Sequence, residues 1–501
     1  MRQRRTVVGV LLIGIAAIGL AWPVRAGAQA AFGGGRGGAG GRGGGGGAAA
    51  GATSSATRAR ADAERGAASA MGPRGRGMRG AAPAAPHEIA VDEIVNFHHH
   101  NIPLPKPGQS IALDARWGSP TASTRQPAVL EIGLATTEFN GTTDLLPANL
   151  ALVIDRSGSM AAADKMTLVK AALQTLISNL RPHDIVSIIA FDTTADVLLP
   201  ATKIGNAVEH RRVIENIRPN GSTNISDGLA LGYQEVSRNY RDGYTNRVIL
   251  LTDGIANIGV TDPSRIADNS GSFTERGIDL STIGVGQDID DNLLRAIAKR
   301  GHGLYYFLAD SRDVAKSFAY EAQILLSQVA RDVRIEVTFD STLNLNRVYG
   351  YAPRVSAGRI ALDMDNFNNG MTEVVLLEYS PGGSGPVTVR LTYFDIGRQR
   401  VVEEVQRIEL APANGRNNDF LEDKEVRKNY TIAGIAQAMS DMQQNWRRND
   451  LRTAESIVSA AVSEALDRYP LVEDADIRAQ LQIAESFLAT LRSFNNSRPL
   501  D

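Results

Sequence analysis

Between residues 149 and 330, short apolar runs alternate with stretches of helical periodicity, and this alternation constrains the fold more than any other feature of the chain. Runs such as LALVI (150–154) and IVSIIAF (185–191) have no polar side. A strand made from either must be covered on both faces, as in a parallel sheet layered between helices. Between them Met166, Val169, Leu173, Leu176, Ile177 and Leu180 recur at three- and four-residue intervals, the spacing of one helical face. The pattern continues with VLL (197–199), read as a short edge strand ended by Pro200, and helices over 208–217 and 225–240. The strands RVILLTD (247–253) and DLSTIGVG (279–286), a helix over 290–299, GLYYFL (303–308) and a last helix over 313–330 complete it. The expected class is α/β: a doubly wound, mostly parallel, Rossmann-like sheet whose ligands gather at the carboxyl ends of its strands.

That edge is where the chemistry-bearing residues fall. The strand 150–154 runs into Asp155-Arg156-Ser157-Gly158-Ser159-Met160. Alternate side chains of an extended turn point the same way, so Asp155, Ser157 and Ser159 can converge, with glycine permitting the bend. Thr223 lies in the loop before the helix 225–240, and Asp253 closes the strand 247–253, so both can reach the same edge. These five residues offer only oxygen. Oxygen donors with few carboxylates suit a hard divalent ion, Mg2+ first, with Mn2+ or Ca2+ as alternatives. Two carboxylates balance the charge without filling six positions, so a place remains for an outside ligand, most naturally an Asp or Glu of a partner protein.

DRSGSM, the threonine of NGSTN and LLTDG together resemble the metal-ion-dependent adhesion site of von Willebrand factor type A (VWA) domains. The resemblance spans about residues 146–330. It implies direct or water-mediated metal ligation by Asp155, Ser157, Ser159, Thr223 and Asp253, partner binding at the open position, and coupling of binding to movement of the last helix. Arg156 stands in a variable slot, where it can influence which acidic group docks. The flanking stretches IAVDEIVNFHHHNIPLPKPG, NRVILLTDGIANIGVTDP and RDVRIEVTFD are similar to a bacterial subgroup of secreted type A proteins with an extra N-terminal region and a C-terminal region of unassigned role.

Six segments follow from the remaining pattern. MRQRR before an apolar stretch, with small residues at 26–30, reads as a signal peptide over 1–30, or an anchor if uncleaved. Residues 31–86, mostly Gly, Ala and Arg, offer few large side chains to offset ordering entropy and are expected to be a disordered linker making at most weak contact with envelope or membrane surfaces. Residues 87–145 form an N-terminal β region, 146–330 the α/β domain and 331–412 further strands. Ala128, Leu130, Ile132 and Leu134 alternate before the domain; Val333, Ile335, Val337 and Phe339, then Val387, Val389, Leu391 and Tyr393, alternate after it. Too few on either side for a good core, these half-buried strands are expected to combine into a β-sandwich carrying the α/β domain as an insertion. Residues 419–495 turn helical.

Composition removes several function classes. The chain of 501 residues has no cysteine, which excludes disulfides, thiolate metal sites and a cysteine nucleophile. The net charge of -2 hides an arginine-rich start, so the body from His87 onward is acidic and a poor match for nucleic acid. His98-His99-His100, read as part of a strand, would alternate faces and could not share one ion. His183, His210 and His302 read as helix-end or surface residues. Ser157 and Ser159 lack the G-x-S-x-G frame of a hydrolase, and Ser157 stands where a phosphoryl-transfer site of the dehalogenase type has a second aspartate. The sequence leads to an exported, periplasmic or secreted, non-catalytic protein of the cell envelope that binds a partner's carboxylate through a divalent ion. A second expectation is an assembly or maturation factor using the same site transiently on a client.

Overall fold

The computed structural model describes residues 85–86, 89–98, 100–137, 146–253, 258–286, 289–308, 327–414, 421–469 and 474–496. The expected signal segment, nearly all of the linker and most of the helix expected over 313–330 lie outside these residues. The N-terminal β region opens with a short helix that the sequence reading did not include, α1 (Val91–Asn96), because Val91, Ile94 and Val95 share one apolar side. Two antiparallel strands follow, β1 (Ile111–Trp117) and β2 (Ala128–Thr136).

The α/β segment comprises β3 (Ala148–Asp155), α2 (Lys165–Asn179), β4 (Ile185–Phe191), β5 (Ala195–Lys203), α3 (Val208–Asn216) and α4 (Ile225–Arg238). It continues with β6 (Thr245–Thr252), α5 (Pro263–Thr274), β7 (Asp279–Val285), α6 (Asp291–Arg300) and β8 (His302–Leu308). The sheet order is β5-β4-β3-β6-β7-β8, parallel except for β5, so the doubly wound, mostly parallel sheet is present. Each face of β3 has its own helical layer. Leu150, Leu152 and Ile154 pack with Met166, Val169, Leu173 and Ile177; Ala151 and Val153 pack with Leu229, Tyr233 and Val236. Helix α4 approaches so closely that a Cβ on Gly232 would stand 2.6 Å from a Val153 methyl.

Two local expectations are corrected here. Pro200 does not end the edge strand: β5 runs to Lys203, because an antiparallel edge tolerates a residue without an N–H. Helix α5, absent from the sequence reading, is started by Asp262, whose side chain accepts from Arg265 N at 3.0 Å, with Pro263 in the first turn.

After the α/β segment come β9 (Gln328–Phe339), β10 (Leu345–Val348), β11 (Arg354–Ser356), β12 (Arg359–Asp363) and β13 (Phe367–Asn368). Then follow β14 (Thr372–Tyr379), β15 (Gly385–Asp395) and β16 (Arg400–Leu410). The chain is already extended at Gln328, so the end of the helix expected over 313–330 is strand. One sheet has the order β1-β2-β14-β10; the other runs β11-β12-β9-β15-β16, with β13 on β9. β2 pairs with β14 from Ala128 to Ala135, across the entire α/β segment. Leu130, Ile132 and Leu134 meet Val337, Val389 and Leu391 in a common core. β2 is not half-buried as its alternation suggests, because its other face is covered by helices. Those helices are α1 and the C-terminal α7 (Lys424–Arg447), α8 (Leu451–Arg468) and α9 (Ala475–Asn495). His98 follows α1 rather than lying in a strand, and it faces Asp476 (3.2 Å) and Gln480 (3.1 Å) of α9. His210, expected at a helix end or surface, is buried within α3.

Candidate metal centre

The order β5-β4-β3-β6 means that the chain leaves β3 to one side and returns to the other for β6. The crevice at the carboxyl ends of β3 and β6 is therefore the switch point of the sheet, the place where such folds hold ligands. Asp155 ends β3 and Asp253 follows β6. The parallel register pairs Ile154 with Leu251, bringing Asp155 level with Thr252, whose hydroxyl donates to Asp155 Oδ2 at 2.5 Å. Ser157 N donates to Asp155 Oδ1 at 2.7 Å, and the Ser157 and Ser159 hydroxyls stand 3.0 Å apart. Asp155, Ser157 and Asp253 are buried, whereas Ser159 is exposed, so the cluster opens to solvent along one side.

Thr223 is buried on the loop between α3 and α4. That loop is held against the Asp155 turn by backbone bonds: Asn220 N to Arg156 O at 2.6 Å and Gly158 N to Gly221 O at 3.0 Å. Asn224 N also donates to Asp192 O at 2.8 Å. All five residues expected at the site thus belong to two strand ends and a loop tied to the same turn. Gly254, which completes LLTDG, lies outside the described residues.

Three partners escaped the sequence reading. Lys165, first residue of α2, is buried and donates from Nζ to Asp253 Oδ2 at 3.0 Å. Its stem passes over Gly286, where a Cβ would stand 2.6 Å from Lys165 Cε and where φ is +87°. Glycine there serves the turn and the lysine together. Thr252, next to Asp253, was the second. The third is the pair Asp192 and Asp196, which take the Arg156 guanidinium at 2.8 and 2.6 Å and fix it beside the turn.

The electrostatics favour a cation. Burial pushes the Asp155 carboxyl up to about 6; hydrogen bonds from Ser157 and Thr252 pull it down, and the neighbouring Asp253 charge adds to the rise. Asp253 Oδ1 is buried with no hydrogen-bond partner among the described atoms. A buried carboxylate oxygen left bare beside a second carboxylate and two hydroxyls fits a hard divalent ion. Asp155 keeps spare acceptor capacity, since a carboxylate has about four lone-pair sites and two bonds are assigned. The donor set therefore fits Mg2+ or a similar ion.

Residues 149–342 match the family model of the von Willebrand factor type A domain. The chain contains a VWA domain. The uncharacterised protein YfbK of Escherichia coli is 29% identical over 57% of this chain and 50% of its own length. Inter-alpha-trypsin inhibitor heavy chain H3 of Rattus norvegicus is 29% identical over 44% of this chain and 27% of its own. The chain thus spans half of the first relative and about a quarter of the second. A von Willebrand factor type A structure from Catenulispora acidiphila aligns with a TM-score of 0.52 at 16% identity, covering 73% of this chain and 88% of that one, which is a likeness of fold. VWA domains are typically non-catalytic modules of protein–protein interaction or adhesion.

Proposed function

We propose that the VWA domain binds a divalent cation, Mg2+ in the first instance, through Asp155, Ser157, Ser159, Thr223 and Asp253, and that the cation receives an Asp or Glu side chain of a partner protein. The observation that carries this reading is the bare, buried Asp253 Oδ1 at the sheet's switch point, beside Asp155 and a pair of hydroxyls of which one is exposed. With Lys165 bonded to Asp253, the two carboxylates and the ammonium sum to one negative charge. A bound divalent ion leaves the centre at plus one, and a single carboxylate from outside brings it to neutrality. The bond made is coordination, and no substrate is turned over. The MRQRR-led apolar start supports a reading in which this activity lies in the periplasm or outside the cell, with the chain acting as an adhesion or scaffold component of the envelope. Among the described residues no helix is long and apolar enough to cross a membrane.

The test has two arms. Calorimetric titration with Mg2+ and with Mn2+ is expected to show binding by the full chain and none by Asp155→Ala, with unchanged circular dichroism. Capture from envelope extracts is then expected to require Mg2+, to fail with a chelator and to fail with Asp155→Ala. Equal capture under all three conditions refutes the reading.

A further inference from the structure

A groove of about 580 Å³ opens directly beside the candidate metal centre. Arg156, Asp192, Arg212, Arg218, Asn216 and Asn220 line it, over an apolar floor of Leu198, Val213 and Ile217. Arg156 links it to the metal centre: its side chain lines the groove, it belongs to the turn that carries Asp155, Ser157 and Ser159, and its backbone O accepts from Asn220 N. Three guanidiniums face a single carboxylate. That carboxylate, Asp192, already binds Arg156, as does Asp196 just outside the lining.

The other two arginines are poorly compensated. Arg218 donates to the backbone carbonyls of Glu215 and Ile217 rather than to an acid. Arg212, with its side chain 67% exposed, has a 3.7 Å contact to Glu209, itself 61% exposed, a pair of little energetic weight. Lys170 lies close enough to feel the Arg218 charge: burial first, and then Arg218, draw it below the usual lysine range, while Glu215 opposes the shift.

We propose that this groove is the docking channel for an acidic, extended segment of the partner protein, flanking the carboxylate that the metal receives. The proposal rests on the metal reading above and adds the chemistry of the partner's neighbouring residues. Guanidiniums pair with carboxylates in bidentate fashion, asparagine side chains serve a partner's backbone N–H and C=O, and an apolar floor takes Cβ and Cγ atoms. That combination suits a polypeptide better than a sulfated polysaccharide, which offers neither backbone amides nor an apolar face. The groove and the metal share one turn, so a single strand of partner can satisfy both.

The full chain, in Mg2+ and physiological salt, is titrated into a fluorescein-labelled peptide of alternating Asp and Ser and into its Asn/Ser counterpart, with anisotropy as the readout. Binding of the acidic peptide alone is expected. Arg212→Gln with Arg218→Gln is expected to weaken it about tenfold, and Arg212→Gln alone, at an exposed position that the fold does not use, by a smaller factor. Metal affinity of these variants, measured by Mn2+ titration, should stay at the parent value. If the double variant binds the acidic peptide as the parent does while Asp155→Ala abolishes binding, the groove assignment is overturned and the metal reading stands. If binding survives chelator and Asp155→Ala but falls with the arginines, the groove is supported and the metal reading fails. Arginine-dependent binding of a heparin tetrasaccharide without binding of the peptide overturns the choice of occupant.

Discussion

Replacing Lys165 by Met tests the electrostatic account of the centre at its least obvious point. The lysine side chain is 10% exposed and that of Asp253 is 2% exposed, so solvent screens the pair little. Asp253 Oδ2 is bonded to Lys165 and Oδ1 to nothing among the described atoms, so Lys165→Met strands a buried carboxylate with neither oxygen paired. Removing one partner of a buried ion pair costs about 3–5 kcal/mol. Lys165→Met combined with Asp253→Asn strands no charge, leaving an underbonded amide at about 1–3 kcal/mol. The double variant is therefore expected to be more stable than the single one, the reverse of additivity. Amide exchange in β3 and β6 reads the domain's own opening. Under chelator it should quicken in Lys165→Met by roughly a hundredfold or more, and by less in the double variant. Added Mg2+ should restore part of the loss in Lys165→Met and none when Asp155→Ala is also present. Exchange in Lys165→Met close to the parent rate, or a double variant that is the sum of its parts, refutes the reasoning.

Glu131, fully buried in β2, receives Asn429 Nδ2 at 2.9 Å and lies 3.2 Å from Arg116, yet burial pushes it up to about 7. The folded state thus holds a proton that the unfolded state releases near 4.5. Stability should fall as pH rises from about 4.5 to about 7, by at most roughly 1.4 kcal/mol per unit; thermal melts across that range should show the slope, flattened in Glu131→Gln. Gly232→Val drives a side chain into Val153 and Val248 and should destabilise the VWA domain by about 1–3 kcal/mol, seen as faster exchange in β3 and β6. A fragment spanning 327–414 lacks β2, which lies between β1 and β14 in their sheet, and should fail to give dispersed amide resonances until a peptide covering β1 and β2 is added; a dispersed spectrum of the fragment alone contradicts the shared sheet.

What the sequence made legible follows from distance along the chain. Asp155, Ser157 and Ser159 lie in one turn, where alternation alone brings them together, and Asp253 is recognisable because an apolar strand ends on it. Lys165 reads as an ordinary solvated lysine at a helix start; its burial depends on a missing Cβ at Gly286, at the end of a different strand. Glu131 reads as the polar member of an alternating strand, and only α7, folded back from the far end of the chain, encloses it and supplies Asn429. Helix α5 was missed because Ile266 and Ala267, with Ser270, form a narrow buried face in a polar stretch, although Asp262-Pro263 carried a start signal.

The arginine groove lies further beyond sequence reasoning, for a related reason. Arg212 and Arg218 alternate with Glu209 and Glu215 along the chain, a pattern that reads as a balanced, solvated helix face. The imbalance arises only in three dimensions, where Asp192 and Asp196 are both committed to Arg156 and the acids of α3 fall outside the groove lining. The same winding of the sheet that sets Asp155 beside Asp253 also sends the chain from α3 past the Asp155 turn on its way to α4. That connection is held to the turn through the backbone of Asn220 and Gly221. Thr223 inside it and Arg218 at its start are therefore positioned by one topological fact.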